Sequence, residues 1–309
     1  MAGGSILVIK LGALGDFVQA LGPFAAIRRH HAQARIVLLT TRAYAEFAAS
    51  LGLFDEVWTD SRPKAAQIGE WLNLRHRLRG GGFVRVYDLQ TSDRSSFYYR
   101  LFWPGPYPEW SGIARGCSHP HVNPRRDTMH TVERQAEQLA LAGIPETPPP
   151  DLSSIRAETG RFELDEAFAL LVPGGSPHRP AKRWPSGHYA ELGNRLAGRG
   201  IEPVLLGGAA EADDLEAIEA LCPKAVNLAG LTTFQDIVAL ARQARLAVGN
   251  DTGPMHLIAL SGCPSLVLYS AASDPALCSQ RGPRVTLLRR DDLADLGVDE
   301  VEAAMNPIL

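Results

Sequence analysis

Short apolar runs alternate with longer amphipathic segments along almost the whole of this 309-residue chain. That is the pattern of a parallel sheet covered by helices. In the first half the periodicity predicts strands at 5–10, 35–40, 55–59, 83–89 and 109–113. Helices fall near 16–30, 43–51, 64–79, 92–103 and 128–142. The alternation stops at Gly143-Ile144-Pro145-Glu146-Thr147-Pro148-Pro149-Pro150, where proline removes helix and ladder options together. It then restarts, with strands at 168–173, 202–207, 225–228, 245–249, 265–270 and 284–288. The second set of helices lies near 187–199, 211–221, 233–243, 254–261 and 292–304. The expected fold is α/β, with two doubly wound, Rossmann-like domains at 1–150 and 151–309. Ligands of such sheets bind beyond the C-terminal ends of the strands. Two domains facing each other across a cleft would therefore put the chemistry in the loops that follow strands.

Composition narrows the setting. A content of 45% hydrophobic and 21% charged residues is that of an ordinary globular protein. No stretch reaches the roughly 18 to 20 uninterrupted apolar residues of a membrane helix. Ser5-Ile6-Leu7-Val8-Ile9, closed by Lys10, is too short for the apolar core of a signal peptide. Cys117, Cys222, Cys263 and Cys278 show no metal or redox spacing, so a reduced cytoplasmic protein is expected. Charge is unevenly divided: residues 1–150 hold 17 basic against 13 acidic side chains, and residues 151–309 hold 14 against 21. A basic first half suits an anionic partner, and equally two plain solvated surfaces. Nucleic acid is not expected, because no long basic run or aromatic–basic interleaving is present.

The most informative junction is Asn250-Asp251-Thr252-Gly253-Pro254-Met255-His256, between Leu246-Ala247-Val248 and Leu257-Ile258-Ala259-Leu260. It reads as strand, tight turn and helix, with Pro254 in the first turn where a missing N–H costs nothing. Such a turn aims free N–H groups and the positive helix end at one point, which suits a phosphate. Thr252 and Gly253 could donate to phosphate oxygens while Asp251 accepts from sugar hydroxyls, a combination that points to a nucleotide sugar. Asp251 as a helix cap, and His256 as a satisfied buried histidine, are equally open.

Three other loops follow strands. Lys10-Leu11-Gly12-Ala13-Leu14-Gly15-Asp16 closes the first strand without the dinucleotide fingerprint or the Walker lysine. Asp16 there suits a helix cap as well as a catalytic carboxylate, and the roles are compatible because a cap leaves the second oxygen free. The segment from Pro173 to Pro185 carries Lys182, a point charge suited to a leaving phosphate, and Trp184, which is expected to pack. Gly207-Gly208-Ala209-Ala210-Glu211 places a carboxylate where it could hold ribose hydroxyls or compensate a helix dipole. Cys117, His119, His121 and His130 fit no zinc spacing, and no metal is expected there.

Taken together these segments resemble the heptosyltransferases, glycosyltransferase family nine. Ile6-Leu7-Val8-Ile9-Lys10 through Leu14-Gly15-Asp16, with Pro23 behind it, looks like the family's opening motif. Asp88-Leu89-Gln90 with Arg94-Ser95, and His130-Thr131-Val132-Glu133-Arg134, look like later segments of the first domain. Lys182-Arg183-Trp184-Pro185 resembles the donor loop. Asp251-Thr252-Gly253 with His256, followed by Tyr269 and Pro275, resembles the most specific motif. The resemblance implies a GT-B fold, with domain 1–150 taking the acceptor, domain 151–309 taking the donor, and the final helix a candidate to pack back on the first domain. It implies an inverting, metal-independent transfer without a cofactor, from an ADP-activated heptose to an anionic lipid-linked or oligosaccharide acceptor of the lipopolysaccharide core. Asp16 would be the general base and Lys182 would neutralise the leaving diphosphate. Gly15, Glu211, Asp251, Thr252, Gly253 and His256 would complete the donor site, and Gln19, Gln90 and Arg94 would lie on the acceptor side. Contact with the inner membrane would be peripheral. A transferase for another nucleotide sugar, a non-hydrolysing epimerase and a non-catalytic nucleotide-sugar binder are the alternatives.

Overall fold

Strands that are apolar on both faces must lie inside a sheet covered on both sides. Ile36–Thr40, Phe168–Val172, Leu246–Asn250 and Ser265–Tyr269 are buried along their whole length. The computed structural model describes residues 4–175 and 179–308. It divides into two compact units, the second beginning at Leu152, directly after the proline-rich segment. The tip of the long loop at 176–178 lies outside the described residues.

Among the described residues, unit one carries six strands: β1 (Ser5–Ile9), β2 (Ile36–Thr40), β3 (Glu56–Thr59), β4 (Phe83–Asp88), β5 (Glu109–Gly112) and β6 (His119–Pro120). They run parallel in the order β3-β2-β1-β4-β5-β6. Its helices are α1 (Leu14–Gln19), α2 (Leu21–His30), α3 (Arg42–Ser50), α4 (Ile68–Gly80), α5 (Asp93–Arg100) and α6 (Thr131–Leu141). Unit two carries β7 (Phe168–Val172), β8 (Glu202–Leu205), β9 (Val226–Asn227), β10 (Leu246–Asn250), β11 (Ser265–Tyr269) and β12 (Val285–Arg289). These are also parallel, in the order β12-β11-β10-β7-β8-β9. Its helices are α7 (Ser186–Gly198), α8 (Ala212–Leu221), α9 (Phe234–Gln243), α10 (Gly253–Leu260), α11 (Pro275–Cys278) and α12 (Val298–Met305).

Counted within each unit, both sheets have the order 3-2-1-4-5-6 of a doubly wound nucleotide-binding fold. The strand order reverses between β1 and β4 in one unit and between β7 and β10 in the other. At such a point the following loops diverge and open a crevice. Asp16 and Gln90 follow one pair of strands; Lys182 and Asp251 follow the other.

Four elements depart from expectation. The first helix is two helices meeting at Ala20, with Pro23 as the third residue of α2. A continuous helix would need the N–H that Pro23 lacks, whereas the first turn of a new helix does not. The last helix starts at Val298 because Asp292 caps a separate 3-10 turn over Leu293–Asp295. Val298, Val301 and Met305 bury one face of that helix in the second unit's own core, beside Leu192 and Leu196 of α7. β6 and α11 are the other additions, both too short to carry a periodic signal. The proline-rich segment is held in place where Gly22 of α2 meets it. A Cβ on Gly22 would stand 2.2 Å from the carbonyl oxygen of Pro148.

Candidate active site

In unit one the loops after β1, β2, β3 and β4 enclose a pocket of about 780 Å³. Asp16, Tyr44, Arg62, Gln90 and Arg94 are among its walls. Helix α1 starts from Ala13, so Asp16 is not the cap but a first-turn residue, near the positive end of the helix. Gln90 accepts the Leu11 N–H at 2.8 Å, a bond that crosses the point where strand order reverses. Arg94 donates to the Pro63 carbonyl at 3.3 Å and lies over the Trp71 ring at 5.6 Å. Gly12, with φ of 123°, is required in this wall, because a Cβ there would be strained and 2.7 Å from the Tyr44 ring. Gln19 was expected on the acceptor side; it is buried at 3% exposure and does not line this pocket.

Buried charges support this wall from behind. Lys10 donates to the Leu89 carbonyl at 3.1 Å. Burial pulls its ammonium below the usual lysine range, against the attraction of Asp16 and Asp88. Asp88 accepts the Gln90 and Thr91 N–H groups at 3.1 and 3.0 Å, which fixes the turn that carries Gln90. Burial nevertheless pushes its carboxyl up to about 6. Among the described residues the second Asp88 oxygen has no partner. Arg134 on α6 senses Asp16 as well, and burial lowers its guanidinium.

In unit two the Asp251-Thr252-Gly253 motif belongs to a connected polar network. Lys182 Nζ donates to Asp251 Oδ2 at 2.6 Å, and the side chains are 12% and 7% exposed. Ser273 donates to the same oxygen at 2.6 Å, and Gln280 Nε2 reaches Oδ1 at 3.2 Å. Tyr269 in turn donates to Gln280 Oε1 at 2.7 Å. Burial raises the Asp251 carboxyl, but Lys182, Ser273 and Gln280 outweigh it and hold the group below the ordinary carboxylate range. Thr252 stands at the N-cap of α10 and makes no side-chain capping bond, so its hydroxyl is not tied to the helix. Pro254 sits in the first turn, and His256 is buried one turn in.

Asn250 is the hub beneath this network. Its Nδ2 donates to the Pro173 carbonyl at 2.7 Å, while its Oδ1 accepts from Trp184 N–H and Tyr189 hydroxyl at 3.0 and 3.1 Å. The β7 loop and the β10 loop are thus locked together across the second unit's reversal point. Trp184 packs, as expected, with its indole N–H on the Leu296 carbonyl at 2.8 Å. Both oxygens of Glu211 already accept backbone N–H groups, from Gly175 at 2.9 Å and Gly208 at 2.8 Å. Its visible work is to hold two glycine-rich loops together.

The rejected cysteine–histidine segment does structural work. His130 caps α6 by accepting the Val132 N–H, His121 pairs with Glu137 at 3.3 Å, and His119 bonds Ser118 at 3.0 Å.

Comparison with known proteins gives the arrangement its family. The model of glycosyltransferase family 9 (heptosyltransferase) matches residues 71–295. The chain belongs to glycosyltransferase family 9. Lipopolysaccharide heptosyltransferase 2 of Escherichia coli (strain K12) is 38% identical over 298 residues, which cover 87% of this chain and 83% of that protein. The solved ADP-heptose lps heptosyltransferase II of E. coli superposes with a TM-score of 0.81 at 24% identity, covering 98% of both chains. E. coli heptosyltransferase WaaC, solved with ADP-2-deoxy-2-fluoro heptose, gives 0.77 at 19% identity, covering 99% of this chain and all of that one. The two doubly wound units are the GT-B fold of this family.

Within this family member, sequence reasoning overlooked Tyr44, Arg62, Asn250 as a hub, Ser273 and Gln280. Tyr44 and Arg62 follow the C-ends of β2 and β3, and Ser273 and Gln280 follow β11. The rule that ligands lie beyond strand ends, applied to every strand, would have marked those loops.

Proposed function

We propose that the chain transfers a heptose from an ADP-activated donor to a lipopolysaccharide core precursor, with inversion and without a metal, at the cytoplasmic face of the inner membrane. The observation that carries this reading is the buried Lys182–Asp251 pair at the N-terminus of α10, in a chain 38% identical to a lipopolysaccharide heptosyltransferase. In this reading the first unit takes the acceptor and the second takes the donor.

Asp16 removes the proton from an acceptor hydroxyl, and the oxygen attacks the anomeric carbon opposite the leaving diphosphate. A positioned base of this kind contributes about 10²- to 10⁴-fold. The bond from the anomeric carbon to the phosphate oxygen breaks and ADP carries away the electron pair. Lys182, the Thr252 hydroxyl and the N–H groups opening α10 meet that growing charge, where fixed donors act most strongly. The donor phosphate competes with Asp251 for Lys182. Ser273 and Gln280 keep Asp251 ionised and in place when Lys182 turns to the phosphate, so Asp251 is ready for the sugar hydroxyls. Gly15 and His256 line the donor, and Glu211 offers its remaining lone pairs to the ribose.

The test is a thermal-shift panel of ADP-, UDP-, GDP- and CMP-sugars, followed by ADP release with a heptose-free core acceptor. A ligand at 100 times its dissociation constant adds roughly 2.7 kcal/mol to the native state. Selective stabilisation by ADP-heptose with acceptor-dependent ADP release is the expected outcome. A response to another nucleotide sugar alone would discard the heptose.

A further inference from the structure

The exposed face of α4 and the segment after α5 form an apolar patch with a basic rim. Ile68, Leu72, Arg75 and Arg79 recur at helical spacing on one stripe of α4. The two apolar members are 67% and 59% exposed, which is unusual for a periodic apolar stripe. Trp103 lies beside it at 68% exposure, because Arg75 and Arg79 both donate to its carbonyl, at 2.7 and 3.1 Å. Phe97 of α5 extends the patch by an edge contact with Trp71 at 5.2 Å. Arg100 adds a further exposed cation, while the acidic Glu70 of α4 points elsewhere and accepts the Ser61 hydroxyl.

We infer that this patch is the surface by which the protein lies on a bilayer carrying anionic headgroups. Tryptophan and phenylalanine with aliphatic side chains, rimmed by arginine, match an interface that is apolar below and negatively charged above. No helix is long and apolar enough to cross a membrane, so the contact is lateral. The patch also runs into the Asp16 pocket: Phe97 touches Trp71, Trp71 carries Arg94 above its ring, and Arg94 forms part of the pocket wall. The inference deepens the proposed function, since a lipid-linked acceptor would reach Asp16 from that surface.

The full chain is sedimented with phosphatidylcholine vesicles prepared with and without phosphatidylglycerol, at low and high salt. Wild type is expected to bind only the anionic vesicles and to be released by salt. The Leu72→Ser/Trp103→Ser variant and Arg100→Glu are each expected to bind about tenfold more weakly or worse. Their thermal stabilisation by ADP should stay at the wild-type level, which separates lost docking from lost folding. Transfer to a membrane-embedded acceptor should fall while transfer to a short soluble acceptor is kept. Wild type that ignores anionic vesicles, or variants that bind them unchanged, would overturn the inference. So would a self-association in wild type that the double variant abolishes, since the patch would then face a second copy. Absence of transfer to either acceptor, with vesicle binding still lost in the variants, would count against the proposed function and leave the surface standing.

Discussion

Lys182 and Asp251, 69 positions apart, are paired at 2.6 Å with both side chains almost out of solvent. The cation is neutralised within the fold, and the anion has two further hydrogen-bond donors in Ser273 and Gln280. The pair therefore has an asymmetric reserve: Asp251 can lose Lys182 and remain satisfied.

That asymmetry predicts the response to Lys182→Met. Stripping one partner from a buried pair typically costs about 3–5 kcal/mol, and here Ser273 and Gln280 should bring the cost below that range. The double variant Lys182→Met/Asp251→Asn should recover much of the loss while binding no donor. Urea unfolding of the four proteins measures the cycle, and a single variant as stable as wild type would refute the coupling. Because the folded Asp251 carboxyl is depressed, its contribution is present above the ordinary carboxylate range and fades as pH falls through the folded value.

Asp16→Asn should leave ADP-heptose binding near wild type and reduce transfer by about 10²- to 10⁴-fold. Single-turnover kinetics with saturating donor separates the two effects. Near-normal turnover would reduce Asp16 to a first-turn charge that favours the helix dipole.

Gln280→Leu removes one bond to Asp251 and the partner of the Tyr269 hydroxyl. A hydrogen bond to a charged group is worth about 1.5–3 kcal/mol, so donor KM should rise on the order of tenfold or more with kcat much less affected. Gln280→Glu should do worse, because it sets a second carboxylate against Asp251. Equal losses of kcat with unchanged KM would mean that Gln280 acts only on the transition state.

The pH dependence of stability should carry two opposed contributions from the first unit. Burial raises Asp88 to about 6, so its contribution is full below the unfolded value near 4 and is lost as pH rises towards 6. Burial, helped by His30 and Arg85, lowers His31 to about 4. Its contribution is full above about 6.5 and is lost as pH falls. Between these limits the two slopes oppose each other. Asp88→Asn should therefore make stability fall more steeply on acidification, and His31→Gln should make it fall less. Denaturant midpoints from pH 4 to 7 test this; parallel curves for both variants would contradict it.

The two-domain α/β plan was legible because a strand buried on both faces must be apolar throughout, and a covering helix must show its 3.6-residue stripe. β7, β10, β11 and α9 announce themselves in this way, and Gly143 to Pro150 marks the boundary. The split at Ala20 was less visible, since Leu14, Phe17, Leu21 and Phe24 keep one apolar rhythm across both helices. Two-residue β6 and four-residue α11 are too short for any period.

Sequence by itself determined the strands other than β6, the turn after β10 at Asp251-Thr252-Gly253, and the placing of Asp16 and Lys182 beyond strand ends, because those follow from local pattern and from where the chain leaves each strand. Only the tertiary structure decided that Ala13 and not Asp16 opens α1, that Gln19 is buried, and that Glu211 clasps Gly175 and Gly208. Only it could show Asn250 joining two loops, or Ser273 and Gln280 gathered on Asp251. For the bonds that join separate loops the physical reason is shared. A hydrogen bond between residues 22 to 77 positions apart leaves no periodicity in either segment, and exists only once the sheet order has brought their strand ends side by side.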